Sequence, residues 1–121
     1  MNPVNWFEIP VSDLRRAKEF YEKVFGYELS SHDMGSWKMA WFPMKKDEAG
    51  SAGTLMQSEG YTPSKKGTLV YFTVQDIDKT LDKIKKNGGK VLMPKKDIGE
   101  HGFIAHFEDC EGNKVALHSV K

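Results

Sequence analysis

An internal repeat constrains the possible fold of this chain more than any other feature of its sequence. Residues 6–27 contain an apolar strand pattern, a Val-x-Asp turn, a helical apolar stripe and a closing glycine, and residues 69–90 show the same order 63 positions later. The corresponding pairs include Val11 and Val74, Asp13 and Asp76, Leu14 and Ile77, and Gly26 and Gly89. A repeat of about half the chain length predicts two similar supersecondary units packed together.

The residue pattern within each repeat predicts a βαβββ unit. Asp13, with Ser12 as the alternative, can cap the start of a helix, and Gly26 supplies the left-handed conformation that ends one. Pro94 is expected to stop a strand, because proline cannot donate to a sheet. The predicted strands are 4–11, 27–32, 37–43 and 54–58 in the first unit and 68–74, 90–93, 103–108 and 114–119 in the second, with a helix capped by Asp76.

The segment 59–67 separates the two units. It contains glycine, proline, serine and two lysines, a composition typical of a linker. A chain of 121 residues has the length of one ordinary domain. The sequence therefore predicts a single domain, 1–121, built from modules 4–58 and 68–119.

Composition and charge exclude several classes of protein. The chain is 39% hydrophobic and 29% charged, which is typical of a globular domain, and its formal net charge of +1 predicts no general attraction to nucleic acid or an anionic membrane. The single cysteine, Cys110, is expected to be an exposed free thiol in a reducing cytoplasm. No signal-peptide pattern is present, and no stretch approaches the roughly 18 apolar residues of a membrane-spanning helix. Four Lys-Lys pairs, at 45–46, 65–66, 85–86 and 95–96, predict a solvated surface rather than a phosphate-binding one, because acidic residues are interspersed.

Two segments of this chain resemble motifs of a known family. Residues 11–26, V-S-D-L-R-R-A-K-E-F-Y-E-K-V-F-G, and residues 107–117, F-E-D-C-E-G-N-K-V-A-L, are similar to the motifs of the vicinal oxygen chelate superfamily. That superfamily contains glyoxalase I, fosfomycin-resistance enzymes, bleomycin-resistance proteins and extradiol dioxygenases. The resemblance implies an α+β fold in which two tandem βαβββ modules form a curved mixed sheet around a cavity. Because relatives usually pair through their modules, it also implies a homodimer with two composite cavities.

The resemblance further implies positions for a divalent metal, and this sequence departs from them. The family's ligands would fall at Trp6, Leu69 and Ala116, with a fourth within 55–57, where Gln57 is the one polar candidate. Tryptophan, leucine and alanine offer no lone pair that a divalent metal would use. We therefore expect no metal cofactor, and the family's Lewis-acid chemistry is not inherited through its usual ligands.

Strand alternation places other side chains on the same face as the lost ligand positions. Glu8 shares a face with Trp6, and Tyr71 shares one with Leu69. A turn that pairs 109 with 113 puts His106 opposite Ala116 and diagonal to His118. In fosfomycin-resistance relatives, the position matching His106 carries a substrate-contacting tyrosine. The expected ligand-binding residues are Trp6, Trp41, Gln57, Leu69, Tyr71, His101 and Ala116, and the expected polar or catalytic residues are Glu8, His106 and His118.

These residues leave three functions open. The first is metal-independent binding of a small organic molecule, which suits apolar walls with a few polar groups. The second is a lyase, isomerase or dioxygenase-like enzyme, in which a histidine acts as general base beside Glu8 or in which Glu8, His106 and His118 hold a relocated metal. The third is a non-catalytic domain whose cavity is filled by its own side chains. Whether the chain is an enzyme therefore stays open.

Each candidate also has a structural interpretation. Either histidine can be an ordinary hydrogen-bonded strand residue, and Trp6 can plug the cavity instead of stacking on a ligand. Glu8 is expected to find a partner in Arg15 or Arg16, since a buried carboxylate needs one. His101 belongs to a mobile lid or to an ordinary turn. His32 is expected to be solvated.

Overall fold

Two βαβββ units follow one another along the chain, as the repeat predicts. The computed structural model describes residues 2–121. The first unit consists of β1 (Trp6–Pro10), α1 (Leu14–Phe25), β2 (Ser30–Met34), β3 (Trp37–Trp41) and β4 (Ala52–Gln57). The second consists of β5 (Tyr71–Thr73), α2 (Ile77–Lys86), β6 (Lys90–Asp97), β7 (Phe103–Glu108) and β8 (Lys114–Ser119), with a 3₁₀ turn at Gly99–His101 between β6 and β7.

The helix ends follow the predicted local chemistry. The Asp13 side chain accepts a hydrogen bond of 3.1 Å from the Arg16 amide, so Asp13 rather than Ser12 is the N-cap of α1. Gly26 ends this helix with a φ of 74°. Asp76 caps α2 in the same way, through the Lys79 amide.

Each unit forms one four-stranded mixed sheet. The strand orders are β1-β4-β3-β2 and β5-β8-β7-β6. β1 is parallel to β4, and β5 is parallel to β8. The other neighbouring strands are antiparallel. The predicted α+β architecture of two βαβββ modules is therefore confirmed. β1 and β5 are each paired along one edge only, so a seam runs between the two sheets.

The helices pack on one face of the sheets and share a single hydrophobic core. This core contains apolar side chains of α1 and α2 together with alternate residues of the strands, such as Ile9, Leu55 and Leu117. The opposite face of the sheets, which carries Trp6 and Glu8, is called the open face below. None of the helices within residues 2–121 is long and apolar enough to cross a membrane.

Six of the eight predicted strands have different bounds in the structure, and only 103–108 and 114–119 agree. Pro94 does not stop β6, which continues to Asp97 with irregular pairing around Met93. This is possible because β6 lies at the outer edge of its sheet, where a missing N–H is tolerated. β5 is shorter than the predicted 68–74, and Leu69 precedes it in an irregular segment.

Candidate functional site

Three rings cover part of the open face of the first sheet. Trp6 packs edge-on against Trp41 with 5.4 Å between ring centroids, and the His32 ring stacks on Trp41 at 3.9 Å. Met39 and Met56, a cross-strand pair on this face, are 5% and 0% exposed. His32 stays partly exposed, and its position opposite Met39 in the β2–β3 hairpin brings its ring onto Trp41.

Glu8 has a partner that the sequence did not indicate. Its carboxylate accepts a hydrogen bond of 3.0 Å from the Tyr61 hydroxyl, and this bond raises the pKa of Tyr61. Neither Arg15 nor Arg16 fills the predicted role, since Arg16 pairs with Glu111 instead. Glu8 is also exposed, so it does not carry the burial cost from which that prediction was made.

The open face of the second sheet carries a tyrosine–histidine pair. The β7–β8 register places His106 opposite Ala116 and Ile104 opposite His118, as predicted, and Tyr71 lies beside Ala116 on its other side. The Tyr71 hydroxyl is 3.3 Å from His106 Nε2. Burial and the charge of Lys114 lower the pKa of His106, which favours a neutral imidazole.

His118 is held by the backbone of the neighbouring turn. Its Nε2 lies 2.6 Å from the carbonyl oxygen of His101, so this ring nitrogen carries the donating proton. The His101 side chain itself is 78% exposed and lies next to Glu100. The structure therefore does not support His101 as a ligand-binding side chain, and His101 belongs to an ordinary turn that its backbone joins to β8.

Gln57 does not lie on the face where a ligand was predicted. Gln57 Oε1 accepts a hydrogen bond of 2.7 Å from the Leu14 amide, because Gln57 shares the helix-facing side of β4 with Leu55. It helps to cap α1 and is turned away from the open face. Ala116 is fully buried beneath its strand neighbours.

Cys110 is not the exposed thiol that was predicted. Its side chain is partly buried, and its Sγ lies 4.0 Å from the Arg16 carbonyl oxygen. Burial, followed by the charges of Asp109 and Glu111, raises its pKa to about 12. A thiol with so high a pKa is a poor nucleophile at neutral pH.

The three candidates for a relocated metal site are not brought together. Glu8 contacts Tyr61, His106 contacts Tyr71, and His118 contacts the His101 carbonyl. Within residues 2–121, no three His, Cys, Asp or Glu side chains are grouped so that they could hold a metal ion. The positions where the family places its ligands carry Trp6, Leu69 and Ala116, whose side chains do not fit a divalent metal.

An open cavity of about 680 Å³ lies at one end of the seam between the sheets. We call it the first cavity, and its lining includes Trp6, Glu8, Lys66, Leu69, Tyr71 and Lys114. Two of the three family ligand positions, Trp6 and Leu69, thus line the same space. Trp41, His106 and His118 are not among its lining residues, although Tyr71 joins His106 to it.

Part of this lining was missed because it belongs to the segment predicted to be a linker. Thr62, Ser64 and Lys66 all line the first cavity. Ser64 holds this segment in place, since its amide donates to Asn113 Oδ1 and its carbonyl accepts from the Lys114 amide. A composition rich in glycine, proline and lysine gave no signal of this tertiary contact.

Comparison with known proteins finds a matching family model and several similar proteins. The family model for the Glyoxalase/Bleomycin resistance protein/Dioxygenase superfamily matches residues 4–117. A Didymella fabae protein named "Glyoxylase-like domain-containing protein" is 31% identical over 121 residues, covering 94% of this chain and 91% of that protein. "Putative glyoxylase CFP32" of Mycobacterium bovis is 30% identical over 93% of this chain, which spans 44% of that protein's length.

A solved structure has the same fold over its whole length. The glyoxylase/bleomycin resistance protein/dioxygenase domain from Frankia sp. EAN1pec aligns with a TM-score of 0.76. The alignment covers 100% of this chain and 99% of that chain at 15% identity. At this identity, the likeness concerns the fold alone.

Proposed function

Because the chain belongs to the Glyoxalase/Bleomycin resistance protein/Dioxygenase superfamily, we propose that it is a metal-independent member that binds a small organic molecule in the first cavity. The observation that carries this proposal is the pairing of Trp6 and Leu69 around that cavity. Apolar side chains occupy the places where the family resemblance implies metal ligands. Apolar walls with a few fixed polar groups suit an organic ligand.

The charged groups around the first cavity favour a ligand with an anionic group. Lys66 and Lys114 line it, and in the described part of the chain neither has a carboxylate within 4.0 Å. Glu8 is already engaged by Tyr61. Trp6 offers an aromatic edge to a flat ligand. The ligand class is therefore a small aromatic or apolar acid.

A fluorescent aromatic acid tests this binding directly. We use 8-anilinonaphthalene-1-sulfonate, whose emission rises in an apolar site, and compare the Trp6→Ala variant with Leu92→Ala. Leu92 is a suitable control because it is 43% exposed and lies outside the first cavity. Trp6→Ala should weaken binding at least tenfold, whereas Leu92→Ala should leave it within about twofold. Equal affinities for the two variants would refute the assignment.

A separate measurement tests metal independence. The purified protein is analysed for Zn, Ni, Mn and Fe, and its thermal unfolding is followed with each divalent ion and with EDTA. We expect substoichiometric metal and an unchanged melting temperature, because Trp6, Leu69 and Ala116 provide no ligands. A stoichiometric ion, or stabilisation that EDTA reverses, would overturn this part of the proposal.

Pairing of two copies is also part of the proposal. The open face of the first sheet ends in exposed apolar side chains, with Met34 at 55% and Trp37 at 49% exposure. Burial of such side chains between two copies would remove apolar surface from water. Sedimentation equilibrium should give a dimer, and the Trp37→Glu variant should be monomeric. A monomeric parent chain would contradict this assembly.

The Tyr71–His106 pair supports a second candidate, an isomerase or lyase that moves a proton. A neutral His106 can accept a proton through Nε2, and Tyr71 links it to the first cavity. Tyr71 contacts His106, in place of the predicted partners Glu8 and His118.

The test is proton exchange next to a carbonyl, which is followed by NMR with hydroxyacetone in D₂O. Exchange that is lost in both His106→Gln and Tyr71→Phe would favour this enzyme, and no exchange above buffer would exclude it for this substrate class.

A further inference from the structure

A second cavity adjoins the first. Its volume is about 790 Å³, and it is bounded by the loop between β3 and β4 and by the free edge of β5. The second cavity is defined here by Phe7, Tyr27, Phe42, Lys45, Lys46 and Phe72. The two spaces meet at the residues that line both of them, which are Val4, Phe7, Ser51, Val70 and Tyr71.

The internal repeat relates the two cavities to one another. Residues 50–52 and 70–73 line the second cavity, and their counterparts 63 positions along the repeat, 113–115 and 7–10, line the first. The segment before β1 lines the second cavity through Asn2, Val4 and Asn5. In the same way, residues within 62–69, before β5, line the first cavity. Each module therefore forms one cavity from the same parts of the fold and closes it against the first strand of the other module.

The loop that differs between the modules gives the second cavity its own chemistry. The β3–β4 connection spans 42–51, whereas β7 and β8 are joined by the short turn 109–113. The longer loop adds Met44, Lys45, Lys46 and Glu48 to the lining. It therefore adds two adjacent lysines, Lys45 and Lys46, to a cavity that is also lined by Phe42 and Phe72.

The aromatic floor is a built feature of the core. Phe42 and Phe72 are 5% and 8% exposed, and their ring centroids are 5.3 Å apart. Phe7 packs edge-on against Phe72 at 5.8 Å. Tyr27 completes the floor, and burial raises its pKa. Phe7 and Tyr27 are only partly buried, so their rings are the ones that an apolar group in the cavity could contact.

The rim of the second cavity carries two free cations. Lys45 and Lys46 have no carboxylate within 4.0 Å anywhere in residues 2–121, although Glu48 also lines the cavity. Lysine stems can lie along apolar surface while the ammonium group stays in water. This arrangement matches a molecule with an apolar body and one negative end.

We propose that the second cavity is a separate binding site for an apolar carboxylate, such as a fatty acid, with its body on the aromatic floor and its carboxylate at Lys45 and Lys46. The site is distinct from the first cavity and does not depend on a ligand there. The chain would thus hold two organic acids, one in the cavity of each module.

Decanoate is the probe for this site, and backbone amide NMR shifts locate it. Saturating decanoate should shift the amides of 44–50, whereas amides of 62–69 report on the first cavity independently. The Lys45→Gln, Lys46→Gln double variant should bind decanoate at the second cavity roughly threefold to tenfold more weakly, since each exposed charge pair contributes little. The control is Lys85→Gln, Lys86→Gln, which removes the same charge from the outer surface of α2 and should leave the affinity unchanged.

Two outcomes would overturn the proposal. One is the absence of shifts at 44–50 when decanoate is saturating, with or without shifts at 62–69. The other is an equal loss of affinity in the two lysine variants, which would mean that decanoate responds to net charge alone. Binding of the aromatic sulfonate at the first cavity could persist in either case, so failure here is distinguishable from failure of the proposed function.

Discussion

The Tyr21 hydroxyl donates a hydrogen bond to Asp109 across the two modules, with 2.8 Å between the hydroxyl oxygen and Oδ2. Tyr21 is 0% exposed and Asp109 is 2% exposed. Asp109 also accepts from the amides of Glu111 and Asn113 and from the Asn113 side chain. The carboxyl group therefore organises the 109–113 turn and joins it to α1.

Removing the Tyr21 hydroxyl should destabilise the chain. The Tyr21→Phe variant leaves Asp109 short of one buried donor, which costs about 1–2 kcal/mol of unfolding free energy. Urea unfolding followed by circular dichroism measures the change. The matched control is Tyr61→Phe, whose hydroxyl lies at the surface and whose loss should cost clearly less than that of the Tyr21 hydroxyl. Equal costs would contradict a special role for the Tyr21 bond.

Glu111 should contribute more to stability than its place in a surface turn suggests. Its carboxylate accepts from the Ser12 and Asp13 amides at the start of α1 and pairs with Arg16, and its side chain is 0% exposed. Glu111→Ala should lower the unfolding free energy by about 1–3 kcal/mol, because the Ser12 and Asp13 amides and the Arg16 side chain lose their partner.

Arg16→Gln provides the comparison for this prediction. It removes the ion pair but keeps the two backbone contacts of Glu111, so its cost should be clearly smaller than that of Glu111→Ala. Chemical unfolding of both variants at the same pH measures the two losses of unfolding free energy. A larger cost for Arg16→Gln would show that the ion pair, rather than the capping, stabilises the junction.

His106 should titrate at a lower pH than an ordinary histidine. Burial lowers the pKa of His106 from 6.5, and the positive charge of Lys114 lowers it further. The neutral form is thus favoured by folding, so this contribution to stability is present above pH 6.5 and is lost as the pH falls through the lowered value. NMR titration of the imidazole signals measures the pKa. Lys114→Gln should raise it, and Lys38→Gln on the other sheet should not; no response to Lys114→Gln would refute the electrostatic cause.

Cys110 should react slowly with thiol reagents while the chain is folded. Its pKa of about 12 leaves little thiolate at pH 8, and the thiolate is the reactive form. The rate with 5,5′-dithiobis(2-nitrobenzoate) should be at least tenfold lower in the native chain than in urea. Similar native and unfolded rates would mean that the thiol is neither buried nor raised in pKa.

Local sequence chemistry predicted the framework well. The caps at Asp13 and Asp76, the glycine at 26 and the repeat depend on neighbouring residues, so they are readable without a structure. The register of His106 opposite Ala116 was also predictable, because the 109–113 turn sets it.

The partners of the polar side chains could not be predicted in the same way. Glu8 bonds to Tyr61, 53 positions away, and His118 bonds to a backbone carbonyl, which any residue at 101 would present. Gln57 could face either side of β4 until the register with β1 was known. The partners of these side chains depend on tertiary packing, which cannot be read from the spacing of residues in the sequence.

Pro94 has a consequence for how copies of this chain can associate. β6 lies at the outer edge of its sheet, where an added strand would need an unbroken row of backbone donors, and Pro94 and the irregular pairing around Met93 interrupt that row. The outer edge of the first sheet, β2, contains no proline. Aggregation by edge-to-edge growth is therefore blocked at one end of the molecule, and the polar residues Ser30 to Asp33 are the protection at the other.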